Sequence, residues 1–199
     1  MPPPASIDRT LATIRAAYRA GEAERGVRLA RAALADDAGH GQLRYALACC
    51  LERAGDLRTA DHWFAEAARA GVEPQAAPFR VSWPRFRRAV DAAGEALPPA
   101  LRSALADVTL VMADYAEPVL IDGYDDEWEL LGLFTGQPRD QAEPAPGDLS
   151  PHIHLWRRAH EHACRNAKEF DAEVRQTLWH ELGHYLGYDE DELEELGRG

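Results

Sequence analysis

The chain has 199 residues, of which 46% are hydrophobic and 28% are charged, a composition typical of one globular domain or two small ones. This composition excludes a disordered chain, a collagen and a coiled-coil fibre. The net charge of −12 argues against nucleic acid as a partner, because binding to a phosphate backbone requires a basic surface.

The sequence contains no candidate for a membrane-spanning helix. The longest unbroken apolar run, Tyr45 to Leu51, has seven residues, far fewer than the roughly 18 that cross a bilayer. The chain does not open with a charged and then apolar segment like that of a signal peptide. We therefore expect a cytoplasmic protein without a membrane partner. Cys49, Cys50 and Cys164 are expected to be free thiols, since adjacent cysteines rarely pair.

Charge divides the chain into two halves. Residues 1–80 hold 11 basic and 10 acidic residues, whereas residues 81–199 hold 11 basic and 24 acidic ones. Prolines and alanines between the halves indicate a linker. The expected regions are a helical region at 1–75, a linker at 76–82 and a second domain at 83–199.

The helical region is repetitive. Apolar residues recur every three or four positions without a proline from Ser6 to Val72, which predicts amphipathic helices. Segments that begin at Gly21 and Gly55 lie 34 residues apart, the period of tetratricopeptide repeats. The second unit resembles such a repeat through Leu47, Ala48, Leu51, Ala60, Phe64 and Ala67. Two interpretations stay open: a helical appendage that docks on the second domain, or a module that binds a protein partner.

The second domain is predicted to be α+β, with a small sheet and helices packed on it. Prolines between Gly136 and Pro151 predict a mobile loop, and 124–129 is predicted to be an acidic loop. The predicted elements are a helix at 87–104, strands at 108–113, 117–121, 131–135 and 152–157, and a helix at 168–186.

The last predicted helix contains the pattern His-Glu-x-x-His. His180 and His184 are four residues apart, so they lie on one helical face and can offer two imidazoles to a single cation. Glu181 lies one step round the helix and can reach a water molecule bound to that cation. Gly187 is predicted to end the helix in the left-handed conformation, which turns the chain back towards the metal.

A third ligand is expected after this turn. The chain ends 15 residues after His184, which leaves no room for a ligand from a distant helix. We predict that Glu190 is this ligand, with Asp189 and Asp191 as alternatives. Two imidazoles, one carboxylate and an open fourth position are typical of Zn²⁺ in catalytic sites.

The stretch from about Trp83 to Gly199 resembles the minimal zincin family, small zinc metallopeptidases whose motif reads H-E-x-x-H-x-x-G-x-x-D. The last motif position holds Glu190 where the family usually has Asp, so the carboxylate is one methylene longer. The resemblance implies a short mixed sheet beside an active-site helix. The matching segments are 96–101, 108–112, 131–138, 154–158, the motif helix and 191–197.

By the same resemblance, the strand from His152 to Trp156 is expected to form the sheet edge beside the metal, where an extended peptide adds as a further strand. Ile153 and Leu155 are expected to face the core. His152, His154 and Trp156 are expected to lie on the opposite, exposed face.

The first functional hypothesis is a zinc-dependent peptidase that acts on a peptide or protein substrate, with Glu181 as general base. The second is a zinc-stabilised interaction module with weak or no catalysis, which recruits a partner through the helical repeats. A third, an esterase or deacylase that uses the same water molecule, is not separated from the first by the sequence.

Overall fold

The structure, a computed structural model, describes residues 7–121, 130–139 and 150–195. The chain divides into two compact units: the first comprises Met1–Pro78 with Glu117–Trp128, and the second comprises Phe79–Ala116 with Glu129–Gly199. The predicted acidic loop and most of the predicted mobile loop lie outside the described residues. No helix of the described ranges is both long enough and apolar enough to traverse a lipid bilayer.

The described part of the first unit consists of amphipathic helices. Equivalent helices begin 34 residues apart, and Gly21 and Gly55, which follow α1 and α3, both have positive φ angles, of 74° and 88°. The resemblance to tetratricopeptide repeats and the binding of a partner stay predictions. The helices are α1 (Ile7–Arg19), α2 (Ala23–Asp36), α3 (Gly41–Arg53) and α4 (Leu57–Ala68).

The prediction of a strand at 117–121 is wrong. Pro118–Leu120 is a short 3-10 helix that belongs to the first unit. Proline lacks the N–H that a strand donates to its neighbour, and this lack favours a turn over a ladder.

The three cysteines are free, as predicted, and the structure buries all of them. Burial raises the pKa of Cys50 and of Cys164 to about 12. Both thiols therefore stay protonated at neutral pH, which makes them poor nucleophiles and poor metal ligands.

In its described residues, the second unit contains three strands and the remaining α-helices. A single predicted helix at 87–104 is two helices, because the pair Pro98 and Pro99 ends the first and begins the second. The elements are α5 (Trp83–Glu95), α6 (Pro99–Leu105), β1 (Thr109–Ala113), β2 (Gly132–Thr135), β3 (His152–Trp156), α7 (Arg157–Ala163), α8 (Ala167–Tyr185) and α9 (Glu190–Glu195).

The three strands form a mixed sheet in the order β1-β3-β2. β3 pairs in parallel with β1 and antiparallel with β2. The predicted α+β class with a short mixed sheet is therefore confirmed. The expectation that β3 is an edge strand is wrong: β3 is central, because it is hydrogen-bonded on both sides. Ile153 and Leu155 face the core as predicted, but Trp156 is also buried.

One side of the sheet packs against α5 and α8 to form the core. The apolar face of α8 is buried, since Val174, Leu178 and Leu182 are each no more than 1% exposed. Burial of a large aliphatic or aromatic side chain contributes about 1.5 to 3 kcal/mol. The largest of their partners are Phe86, Leu97, Ile153, Leu155 and Phe170.

A buried carboxylate, Glu161 on α7, holds the chain segment that leads into α5. Its Oε2 accepts hydrogen bonds from Arg158 Nη1 at 2.6 Å and from Arg80 Nη1 at 3.1 Å. Its Oε1 accepts from the Val81 amide at 2.8 Å. Because the Glu161 side chain is fully buried, these donors are what stabilises its charge.

Arg157 extends this network to the sheet. Its Nε donates to Asp114 Oδ1, just after β1, at 2.7 Å, and its Nη1 donates to the Val81 carbonyl at 2.7 Å. Its guanidinium also lies 5.0 Å from the centre of the Trp83 ring. The network thus ties β1, α7 and the start of α5 together.

Replacement of the buried carboxylate tests this network. We expect Glu161→Gln to lower the free energy of unfolding by about 3 to 5 kcal/mol, because Arg158 and Arg80 then face a neutral amide in place of the fully buried carboxylate that they share. Urea denaturation of the full chain measures the change. Asp171→Asn, which breaks the more exposed pair with Arg85, is the control and is expected to cost less than about 1 kcal/mol. Equal losses in the two variants would contradict the assignment.

Candidate metal centre

Helix α8 has well-defined ends. At its start, the Asn166 side chain accepts hydrogen bonds from the amides of Lys168 and Glu169, both at 3.0 Å. At its end, Gly187 has φ 94°, and the Tyr188 amide donates to the Gly183 carbonyl at 3.1 Å. This is the Schellman arrangement of a helix C-terminus. The predicted left-handed turn at Gly187 is therefore confirmed.

The turn brings three predicted metal ligands together. Nε2 of His180 and Nε2 of His184 are 3.0 Å apart. Glu190 Oε1 lies 3.2 Å from His184 Nε2, and its Oε2 lies 3.6 Å from His180 Nε2. Ligands of a tetrahedral ion with bonds of about 2.0 to 2.2 Å are separated by about 3.3 to 3.6 Å. The three donors all lie within 4.8 Å of one another, and their closest separations are within a few tenths of an ångström of this range, which is close enough for them to share a single ion. Their role as ligands stays a prediction.

A backbone carbonyl orients the second imidazole. His184 Nδ1 lies 3.1 Å from the carbonyl oxygen of Tyr188, in the turn that follows α8. A carbonyl can only accept a hydrogen bond, so Nδ1 is the donor in this contact, and Nε2 is the ring nitrogen that faces the other candidate ligands. The Gly187 turn therefore also places the group that orients the His184 ring.

The two alternative third ligands have other places in the structure. Asp189 Oδ1 accepts from the Glu192 amide at 2.9 Å, and Glu192 Oε2 accepts from the Asp189 amide at 2.9 Å. This reciprocal pair is a capping box that starts α9. Asp191 does not belong to the donor cluster found in the described part of the chain. Glu190 is the acid that the structure places beside the histidines.

Glu181 faces β2 and is 6% exposed. Its Oε2 accepts a hydrogen bond from the Phe134 amide at 2.7 Å. Burial raises the pKa of Glu181, and this effect outweighs the opposing influence of His180, His184 and the Phe134 amide. Glu181 is therefore a buried carboxyl group that is held by one oxygen.

This contact requires a close approach of β2 to α8. A Cβ atom on Gly132 would lie 2.6 Å from Thr177 Cγ2 and 3.1 Å from Glu181 Cγ. The absence of a side chain at Gly132 therefore allows the Phe134 amide to come within hydrogen-bonding distance. This contact was not predicted from the sequence. A glycine near the start of a predicted strand is nevertheless a signal that another element approaches the backbone closely.

The histidines of β3 lie on the other face of the sheet from the core. His154 Nε2 contacts Thr135 Oγ1 at 3.1 Å, and His152 Nδ1 contacts the Ser150 carbonyl at 2.7 Å. Both side chains are half-buried. Neither belongs to a group of three or more metal-ligating residues in the ranges that the structure describes.

His160 is fully buried between α7 and α8, although the sequence suggested no role for it. Its Nδ1 lies 2.8 Å from the Trp156 carbonyl, and its Nε2 lies 3.2 Å from Thr177 Oγ1. The rings of Phe86 and Phe170 are next to it. Burial lowers the pKa of His160 from 6.5 to about 4.

Comparison with known families identifies the second half of the chain. Residues 105–199 match the model of the zincin-like metallopeptidase family. The matched segment includes all three strands, α8 and α9, and therefore every residue of the candidate site. A comparison with curated proteins finds none that matches the chain.

The low pKa of His160 predicts a loss of stability in mild acid. The unfolded chain takes up a proton at this imidazole as the pH falls through 6.5, whereas the folded chain does so only near pH 4. The stability that the folded state gains from keeping the His160 imidazole neutral is therefore complete above pH 6.5. It declines between pH 6.5 and about 4. Urea midpoints of the metal-free protein across this range measure the decline.

His160→Phe, which cannot titrate, is expected to show a shallower dependence of the midpoint on pH. His162→Phe is the matched control, because it removes an imidazole from α7 without removing a fully buried one. If the parent and His160→Phe lose stability in parallel as the pH falls, this explanation of acid sensitivity is wrong.

Proposed function

Because residues 105–199 form a zincin-like metallopeptidase domain, we propose that the protein hydrolyses peptide bonds with a zinc ion held by His180, His184 and Glu190. The observation that carries the proposal is the convergence of these three donors beside the buried carboxyl group of Glu181. A peptide or protein is the proposed substrate. A partner of the N-terminal helices stays a prediction.

The donor set suits zinc. Two imidazole nitrogens and one carboxylate oxygen are ligands that Zn²⁺ accepts, and three protein ligands leave one position open. When bound in such a site, zinc polarises a carbonyl group and lowers the pKa of a water molecule to about 7. The Tyr188 carbonyl, 3.1 Å from His184 Nδ1, orients the His184 ring so that its Nε2 faces the other two donors.

Glu181 is the proposed general base. The Phe134 amide holds Oε2, so Oε1 is the atom that takes a proton from the attacking water. The same oxygen then transfers the proton to the leaving amine. The burial of Glu181, which is 6% exposed, limits the access of competing water to this carboxyl group.

β2 is the proposed docking strand for an extended peptide, in place of β3. Leu131 accepts a hydrogen bond from the Trp156 amide, so the alternate residues Gly132 and Phe134 direct their backbone groups away from β3. The Phe134 amide is engaged with Glu181, so its carbonyl is the proposed acceptor for a substrate amide. This would place the peptide next to the donors on α8.

Removal of the general base tests the proposal directly. We expect Glu181→Gln to retain zinc and to lose about 10²- to 10⁴-fold in peptide hydrolysis, because the amide cannot accept the proton. Zinc content by elemental analysis and cleavage of a peptide library measure the two effects. Glu173→Gln makes the same change on the same helix, away from the donors, and is expected to cleave like the parent.

The alternative function, a zinc-stabilised interaction module, has a different outcome in this experiment. It requires that the fully zinc-loaded parent cleave no member of the library. Cleavage by Glu181→Gln at the rate of the parent would show instead that another group removes the proton.

A further inference from the structure

Glu190 belongs to a helix that is too short to be stable by itself. It begins α9, a helix of six residues, and its side chain is 70% exposed. So short a helix does not persist in water by itself, because forming its first turn costs more entropy than its few hydrogen bonds return. Some tertiary contact must therefore hold α9 if Glu190 is to stay beside the histidines.

That contact is made by Leu193. It is the buried residue of α9, at 2% exposure, and it packs over Gly183 of α8. A Cβ atom on Gly183 would collide with Leu193 Cδ2, so the missing side chain of the glycine creates the seat for the leucine. Gly183 directly precedes His184. The site on which Leu193 packs therefore belongs to the same turn of α8 as the His184 imidazole.

The geometry of α9 links this seat to the carboxylate. Glu190 and Leu193 are three residues apart, and residues at this spacing lie on the same face of a helix. When Leu193 is seated on Gly183, the Glu190 side chain is therefore directed towards His180 and His184. The capping box of Asp189 and Glu192 limits how the chain enters the helix.

We propose that Leu193 is a positioning residue for the metal centre: seated on Gly183, it holds Glu190 in place and so determines how tightly the site binds its metal. The inference rests on the proposed function, which takes Glu190 as the third ligand. Leu193 does not belong to the hydrophobic core cluster found among the described residues.

The affinity of the full chain for Zn²⁺, measured by competition with a chromogenic chelator, tests the proposal. We expect Leu193→Ala to weaken zinc binding about 10- to 100-fold, as the loss of residues that orient ligands commonly does. Leu193→Met reaches the same seat and is expected to bind zinc within a few-fold of the parent. Glu194→Ala, an exposed change on the same helix, is the control and is expected to leave the affinity unchanged.

A double-mutant cycle separates positioning from general destabilisation. If Leu193 acts through Glu190, Leu193→Ala should cause no further loss of zinc affinity in a Glu190→Gln background. Equal losses in the two backgrounds would overturn the proposal. So would a Leu193→Ala protein that binds zinc as tightly as the parent.

The outcomes also separate this inference from the proposed function. A parent protein that takes up no zinc would refute both. A parent that binds zinc and cleaves peptides, with an affinity indifferent to Leu193, would refute the positioning role and leave the peptidase assignment standing. Gly183→Ala disturbs the contact from its other side and is expected to weaken zinc binding in the same direction, which keeps the test valid if Leu193→Ala folds poorly.

Discussion

The packing of α8 against the sheet is the interaction on which the second unit depends. One face of this helix places Val174, Leu178 and Leu182 in the core, and burial of that face fixes the rotation of the helix about its own axis. Since the rotation is fixed, the direction of His180 and His184 is fixed as well. Hydrophobic burial thus orients a polar site that contributes little to the core itself. A site built on a rigid element in this way keeps its donors in place without help from a ligand.

The site is completed by main-chain groups and by residues without side chains. The Phe134 amide holds Glu181, and the Tyr188 carbonyl holds His184. Gly132 and Gly183 leave the space through which β2 and α9 approach α8. A search of the sequence for reactive side chains does not find these contributions, because they come from backbone groups and from glycines. Substitution of either glycine by a larger residue would move the supporting elements while leaving every side chain of the candidate site intact.

The elements whose structure depends on nearby residues are the ones that the sequence predicted correctly. The motif helix predicted at 168–186 is observed as Ala167–Tyr185, because its apolar period and its terminal glycine lie within the segment itself. The strand predicted at 117–121 from local pattern and the edge position expected for β3 from the family resemblance are both wrong. An alternating strand pattern shows that one face is buried, but the number of strands beside it depends on residues far away in the chain. A turn that contains proline was mistaken for a strand because its apolar residues resemble one.

What the sequence by itself determined is the pair His180 and His184, the adjacent Glu181 and the turn at Gly187, since helical spacing and the conformational freedom of glycine act over a few residues. Glu190 was a choice among three neighbouring acids that spacing could not resolve. In the tertiary structure Glu190 is the one of the three that lies with His180 and His184, where Leu193 packs on Gly183 and the cap between Asp189 and Glu192 begins α9. Its role as a ligand stays a prediction. The hydrogen bond from the Phe134 amide to Glu181 could not be predicted from the sequence either, because every residue except proline has a backbone amide. The two groups meet only when β2 and α8 pack together.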